Sequence, residues 1–339
     1  MGRNRLLILR FSSIGDIVLT TAVVEYLHRK MPGYEFHFLT LRDYGSILEG
    51  NPHLARIILV ERSATVGSLR RLAMRLSDFD YDFCLDLHNS LRTKYIRWWL
   101  KNRHWLTYRK PRLNRFLLFY LHHNRFGGNY DVLSDYWALL NGENGERPNL
   151  RPRLYISSLE KERARLQLKS YGISGDFAAV IPSAAWRSKI WPVAGYIEVL
   201  TAIAREEKLG IVLLGGSSDS VCDDIASQVP DSVNLRGVTD LRTSLAILSC
   251  ARAAIGSDTG LIHGAEALGT PVVMINGPTS RETGARVRRR NSVMVTAHPW
   301  CQPCSKNGSR PCYRTDRFCM TGIRSDAVFT SFKSLLNGG

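Results

Sequence analysis

The feature that most constrains the fold is an alternation of short apolar runs with helix-length stretches, begun near residue 6 and restarted near residue 178. In the first half, strand patterns fall at 6–9, 35–39, 56–60, 81–87 and 105–108, with helical patterns at 16–30, 66–76 and 131–140. The stretch 141–148, Asn-Gly-Glu-Asn-Gly-Glu-Arg-Pro, is dense in breakers and reads as a linker. A charged helix at 158–171 follows. Strands at 178–181, 211–214, 233–235, 253–255 and 272–275 then alternate with helices at 193–207, 218–228, 241–250 and 261–268. Strand after helix after strand implies a parallel sheet covered on both faces, because a parallel pair needs a crossover long enough to hold a helix. At 339 residues the chain exceeds what one hydrophobic core usually serves. The expectation is an α/β chain of two doubly wound, Rossmann-like domains facing across a cleft. The first covers 1–155, the second 156–324, and a helix in 325–339 crosses back to the first.

Charge narrows the class of partner. The net charge of +16 calls for something anionic: nucleic acid, an acidic membrane surface or a phosphorylated substrate. It is concentrated between His88 and Tyr130, which holds no Asp or Glu but carries Arg92, Lys94, Arg97, Lys101, Arg103, Arg109, Lys110, Arg112, Arg115 and Arg125. Trp98, Trp99, Trp105, Tyr108, Phe116, Phe119 and Tyr120 are interleaved with them. Two amphipathic helices with snorkelling cations account for many of the aromatics, though not for the missing acids. The expectation is that the 91–126 segment meets the anionic inner leaflet or a phosphorylated lipid acceptor. A nucleic-acid-binding protein is the competing reading, but the segment matches no recognition motif, and no nucleic acid is expected as a partner. The apolar run at 6–9 is too short for the core of a secretory leader, and no run approaches the ~20 residues that span a bilayer. A cytoplasmic protein, peripheral at the inner membrane, is expected.

Three polar turns follow predicted strands, where doubly wound sheets carry chemistry. The first, Arg10-Phe11-Ser12-Ser13-Ile14-Gly15-Asp16, brings hydroxyls, a glycine suited to close approach or positive φ, and a carboxylate at a helix opening. Asp16 there is either a helix cap or a reactive acid. One glycine is too few for the G-x-G-x-x-G of a dinucleotide dehydrogenase. The second turn, Pro182 to Pro192, offers Ser183, Arg187 and Lys189, the two cations suited to phosphate oxygens. The third, Gly256-Ser257-Asp258-Thr259-Gly260-Leu261-Ile262-His263, opens a helix whose free amides favour a diphosphate. Taken singly, Asp258 reads equally as a cap and His263 as a satisfied helix histidine. The turn Gly215-Gly216 lies nearby in sequence order.

These blocks together resemble glycosyltransferase family 9, the lipopolysaccharide heptosyltransferase family. The resemblance rests on Ser12-Ser13-x-Gly15-Asp16, Lys189-Ile190-Trp191-Pro192, Leu214-Gly215-Gly216, and Asp258-Thr259-Gly260-x-x-His263 continuing to Ala267-Leu268-Gly269-Thr270-Pro271. It covers nearly the whole chain and implies a GT-B fold, with the acceptor in the first domain and the nucleotide sugar in the second. It implies an inverting, metal-independent transfer, with ADP-heptose the expected donor and an anionic inner-core glycolipid, or a related glycan, the acceptor. Asp16 would be the general base and Lys189 would neutralise the diphosphate. Ser183, Arg187, Gly215, Gly216, Asp219, Asp258, Thr259, Gly260 and His263 would complete the donor site. Ser12, Ser13, Gly15, Asp86, His88 and Arg92 would contact the acceptor. The chain departs from the family pattern in two places: Ser217-Ser218-Asp219 follows the Gly-Gly turn, so that Asp219 is a shifted candidate for the acid usual there, and Ala184 and Ala185 stand where some relatives have hydroxyls. A nucleotide-sugar epimerase on the same fold is a further alternative.

Seven cysteines remain. Cys84, Cys222 and Cys250 sit in apolar surroundings and read as core. Cys301-x2-Cys304-x7-Cys312-x6-Cys319 offers four thiolates to a structural zinc or an iron–sulfur cluster, with reduced thiols or local disulfides as the alternatives. No cofactor is required for the transfer itself.

Overall fold

The computed structural model describes residues 4–100, 104–128, 130–142, 144–312 and 314–337. Lys101 and Arg103 of the basic segment, and the last two residues of the expected 325–339 helix, lie outside them. The chain divides into two units, Met1–Lys110 with Val132–Tyr155, and Pro111–Asp131 with Ile156–Gly339.

The first unit is built on β1 (Arg5–Leu9), α1 (Ile14–Lys30), β2 (Glu35–Leu41), the single turn α2 (Arg42–Gly45), β3 (Arg56–Val60), α3 (Val66–Ser77), β4 (Phe83–Asp86), α4 (Leu91–Trp99) and β5 (His104–Thr107). The five strands are parallel in the order β3-β2-β1-β4-β5. Leu6 to Leu9 are fully buried, as a strand covered on both faces requires. Leu69, Leu72, Ala73 and Leu76 of α3 recur at helical spacing, and all four enter the core with Leu7, Leu9 and Leu39. Helix α1 starts at Ile14 rather than at 16, so Gly15 is helical and not among the positive-φ glycines.

After β5 the chain leaves for the second unit. Helix α5 (Arg112–Leu121) and the loop after it are fastened there by Arg310 on the Phe119 carbonyl (3.1 Å), Asn124 on Glu282 (3.0 Å) and Arg288 on Asp131 (2.7 and 2.9 Å). A continuous 1–155 domain is corrected to this extent. Helix α6 (Val132–Asn141) then returns to the first unit, where Trp137 packs on Tyr26 and Tyr136 on Tyr108.

The second unit comprises α7 (Ser158–Ser170), β6 (Phe177–Ile181), α8 (Val193–Ala202), β7 (Gly210–Leu213), α9 (Val221–Ala226), β8 (Ser232–Asn234), α10 (Leu241–Leu248), β9 (Ala253–Ser257), α11 (Gly260–Leu268), β10 (Val272–Ile275), β11 (Val293–Val295), α12 (Phe318–Thr321) and α13 (Ser325–Asn337). Its six parallel strands run β11-β10-β9-β6-β7-β8. Strand β11 is short and half-buried, and its pattern was not among the expected strands. Val328, Phe332 and Leu335 of α13 lie in this unit's own core beside Val273 and Ile275. The apolar face of the helix is occupied by the second sheet.

Gly256 illustrates how tightly β9 and β6 approach. A Cβ there would stand 2.4 Å from the Ile181 carbonyl oxygen, a backbone atom that cannot swing aside. Gly256→Ala is therefore expected to cost about 1–3 kcal/mol through overpacking, read as a lower denaturant midpoint at unchanged m.

No helix among the described residues is long and apolar enough to cross a membrane.

Candidate active site

Both sheets have a switch point, where successive strands turn outward in opposite directions: β1 against β4 in the first unit, β6 against β9 in the second. Loops leaving the carboxyl ends of such strand pairs form the ligand crevice of doubly wound sheets. The motifs read from the sequence stand at these ends.

In the first unit, Leu9 lies level with Asp86 at the ends of β1 and β4. The Asp16 carboxylate, in the first turn of α1, accepts bonds from the Ser13 N–H (3.1 Å) and hydroxyl (3.2 Å) and pairs with Arg10 at 2.5 Å. Asp16 thus caps its helix, yet all three contacts fall on Oδ2 and the side chain is 37% exposed. Oδ1 takes part in none of these three contacts. The buried Arg10 guanidinium is fixed by the carbonyls of Ser12 (2.9 Å) and Leu87 (2.5 Å). Burial works against the Asp16 charge, but Arg10 and the Ser13 amide outweigh it and hold the carboxyl at about 2. Its lowered value means that the pair stabilises the fold above the unfolded value near 4 and stops doing so as pH falls towards 2. The melting-temperature gap between wild type and Asp16→Asn should therefore be full at pH 6 and close on acidification towards pH 2.

Buried Asp86 accepts the amides of His88 (3.0 Å) and Asn89 (2.8 Å) on Oδ1, while its Oδ2 has no hydrogen-bond partner among the described residues. Burial, with Arg10 and Lys110 nearby, lowers His88 to about 4, so its imidazole is neutral at pH 7. Arg92 donates to the Arg62 carbonyl at 2.6 Å. A cavity of about 1000 Å³ lined by Tyr26, Tyr34 and Trp105 opens at the other, amino-terminal ends of these strands, away from the motif loops.

In the second unit, Asp258 is the hub. Its carboxylate holds Lys189 Nζ at 2.6 Å, His263 Nε2 at 3.2 Å and the Thr279 hydroxyl at 2.8 Å. Burial opposes its charge, but Lys189 and His263 keep it ionised well below the usual carboxylate range. Immediately after it Thr259 caps α11, and the first intrahelical bond is made by the His263 N–H to the Thr259 carbonyl at 3.3 Å. The amides of Gly260, Leu261 and Ile262 precede that bond and form the electropositive end of the helix. Among the described residues the buried Thr259 hydroxyl and His263 Nδ1 have no hydrogen-bond partner, which is unusual for polar atoms and fits a site made for a ligand. Ser183 is buried at the end of β6, and Arg187 is exposed in the single 3-10 turn Arg187–Lys189. Asp219 accepts the Gly216 N–H at 2.7 Å, so one of its oxygens closes the Gly215-Gly216 turn.

The model of glycosyltransferase family 9 (heptosyltransferase) matches residues 69–313, most of the chain. The chain belongs to this family. It is similar to lipopolysaccharide heptosyltransferase 1 of Pseudomonas aeruginosa, at 25% identity over 98% of both chains. Lipooligosaccharide heptosyltransferase 2 of Haemophilus influenzae is 24% identical over 81% of this chain and 84% of its own. Among solved structures, the family 9 glycosyltransferase of Veillonella parvula superposes with a TM-score of 0.80 over 100% of this chain and 99% of its own, at 17% identity. For the E. coli ADP-heptose lipopolysaccharide heptosyltransferase II the TM-score is 0.77 over 98% and 99%, at 20% identity. Two doubly wound parallel-sheet units in a family 9 glycosyltransferase constitute the GT-B fold.

Two groups of this family 9 site were missed in the sequence. Arg10 stood inside a quoted motif without a role; a cation ending an apolar strand must find a partner when buried, and Asp16 six residues on was the signal. Thr279 is 21 residues from Asp258 and reaches it because β10 lies beside β9. Asn276 steadies it, donating to the Thr279 carbonyl (3.0 Å), with its Oδ1 2.8 Å from the Thr279 hydroxyl, whose single proton Asp258 and Asn276 share.

The cysteine-rich segment packs against this same loop. The amides of Cys304 and Ser305 both donate to the Pro278 carbonyl at 3.2 Å. Gly308, at φ +89°, lets the backbone lie on the Lys189 stem, where Ser188 donates to its carbonyl at 2.5 Å. Among the described residues, no three His, Cys, Asp or Glu side chains are arranged to hold a metal ion. Cys301, Cys304, Cys312 and Cys319 are free thiols, and burial with the neighbouring sulfurs pushes Cys319 up to about 12. Cys84 and Cys222 are buried, and Cys250 is half-buried.

Proposed function

We propose that this family 9 glycosyltransferase moves a heptosyl group from ADP-heptose to a hydroxyl of an anionic lipopolysaccharide inner-core acceptor, or a related glycan, with inversion. The relatives' names point to this donor and acceptor class. The acceptor oxygen attacks the anomeric carbon, the bond to the diphosphate oxygen breaks on the opposite face, and the acceptor proton passes to Asp16. With Oδ2 tied to Arg10 and Ser13, Oδ1 takes that proton. Ser12, Ser13, Asp86 and the neutral His88 line the acceptor side, Asp86 through its unpartnered Oδ2. Negative charge growing on the leaving diphosphate is met by Lys189 and the amides opening α11. Arg187, Ser183 and the Gly215-Gly216 turn extend that site. The step so drawn calls on no metal ion.

The observation that carries the reading is the Lys189–Asp258–His263 group under the amino end of α11, with the Thr259 hydroxyl and His263 Nδ1 left without protein partners. A cation held by a carboxylate beside free helix amides suits a phosphate-bearing donor. The test is to incubate the protein with a panel of nucleotide sugars, ADP-heptose among them, and a truncated lipopolysaccharide acceptor, and to weigh the products. The expected product is the acceptor plus one heptosyl unit. Isomerised donor without acceptor would favour an epimerase, and a melting temperature raised by DNA or RNA rather than by ADP would favour a nucleic-acid partner; either sinks the proposal.

A further inference from the structure

Helix α5 is apolar on the side that faces water. Leu113, Phe116, Leu117, Tyr120 and Leu121 recur at i, i+3, i+4, i+7 and i+8, the spacing of one helix face. Leu118 and Phe119, a quarter-turn or more away, are the residues that bury. Leu113, Phe116, Tyr120 and Leu121 keep 52–64% of their surface exposed. An ordinary surface helix shows the reverse pattern.

Neighbouring groups extend the face. The Phe116 and Tyr120 rings stack at 4.9 Å, the Arg310 guanidinium lies 4.5 Å over Tyr120, and His122 meets Trp300 at 5.5 Å. Trp300 is 70% exposed. Arg112 and Arg125 are exposed, and the described part of 111–130 has no acidic residue. Two carboxylates that approach this stretch among the described residues are occupied: Glu282 is buried against Asn124 and Arg281, and Asp131 is paired with Arg288. An apolar ridge with aromatic rings at its edge, ringed by arginines and with neighbouring acids neutralised, matches a surface that is apolar underneath and negative on top.

We propose that α5, with Trp300 and Arg310 beside it, is a membrane-docking helix that lies in the headgroup region of a bilayer rich in anionic phospholipid. The inference is independent of the transferase chemistry, because it uses none of the residues assigned to donor or acceptor. It narrows the expected 91–126 segment to one helix and its neighbours.

The experiment is flotation of the full chain with vesicles of phosphatidylcholine alone and with phosphatidylglycerol added. Wild type should float with the anionic vesicles and stay behind with the neutral ones. Phe116→Ser combined with Leu121→Ser should weaken binding by about tenfold or more, and Arg112→Gln or Arg125→Gln by about fivefold each. ADP-induced thermal shifts and melting curves of the variants verify that they fold. Wild type that ignores anionic lipid, or floats equally with neutral vesicles, overturns the proposal. So does a folded serine variant that binds vesicles as wild type does, or one that only converts a dimer to a monomer in light scattering, which would make the face a contact between copies.

Discussion

Replacing Asp16 with Asn is expected to lower kcat by about 10²–10⁴, the range that general-base assistance supplies, while ADP affinity stays within about twofold of wild type because the Asp16 carboxylate is held by Arg10 and Ser13 of its own unit. Asn keeps the size of the group and can still accept from the Ser13 amide, so the change isolates the charge and the lone pair that take the proton. Steady-state kinetics with donor and truncated acceptor, together with ADP titration, give the two readouts. Near-normal turnover in the folded variant would remove Asp16 as the base. A matching loss after Arg10→Gln would have another origin. Arg10 bonds Asp16, the carbonyls of Ser12 and Leu87 and the Tyr136 hydroxyl, so on the proposed mechanism it is a positioning residue, and its loss should move the acid limb of the pH–rate profile towards the ordinary carboxylate range.

Asp258→Asn is expected to do more damage to the fold. The Asp258, Lys189 and His263 side chains are 8%, 12% and 9% exposed, and removing the central charge strands the two groups that face it. Breaking one partner of a buried pair costs about 3–5 kcal/mol, which for a unit of this size is a fall in melting temperature of roughly 10 °C. ADP binding should be lost as well. The double change Asp258→Leu with Lys189→Met separates the two roles. A well-packed apolar pair is often as stable as a buried ion pair, so the melting temperature should recover while ADP binding does not. A single Asp258→Asn variant with unchanged melting and unchanged ADP affinity would show that the group is neither structural nor part of the donor site. Thermal denaturation and calorimetric titration suffice.

The alternation of apolar runs and helical stretches was legible because the sheets are covered on both faces, which makes β1 and β6 read as unbroken apolar segments. The turn motifs were legible for a related reason. A strand end followed at once by a helix start leaves little room for anything but hydroxyls, glycine and a capping acid, so Ser12–Asp16 and Asp258–His263 stand out. Chain-local patterns were poorer guides elsewhere. Helix α5 and the loop after it fall in the first half of the sequence yet pack with the second unit, because the partners of Phe119, Asn124 and Asp131 are Arg310, Glu282 and Arg288, more than 150 residues away. The packing of the cysteine-rich segment by backbone against Pro278 and the Lys189 stem left no trace in spacing.

By itself, the order of residues determined two doubly wound α/β halves, the loops that carry polar chemistry, and membership in a glycosyltransferase family whose motifs are local in sequence. Only the tertiary structure decided which charges pair. Arg10 with Asp16 is fixed by the turn between β1 and α1, Lys189 with Asp258 by the adjacency of β6 and β9, and Thr279 with Asp258 by the adjacency of β9 and β10. The physical reason is that helical and strand periodicity report neighbours one turn or one pleat away. Charge pairing instead depends on which strand ends a sheet brings side by side, and on how far burial raises the cost of leaving either charge alone.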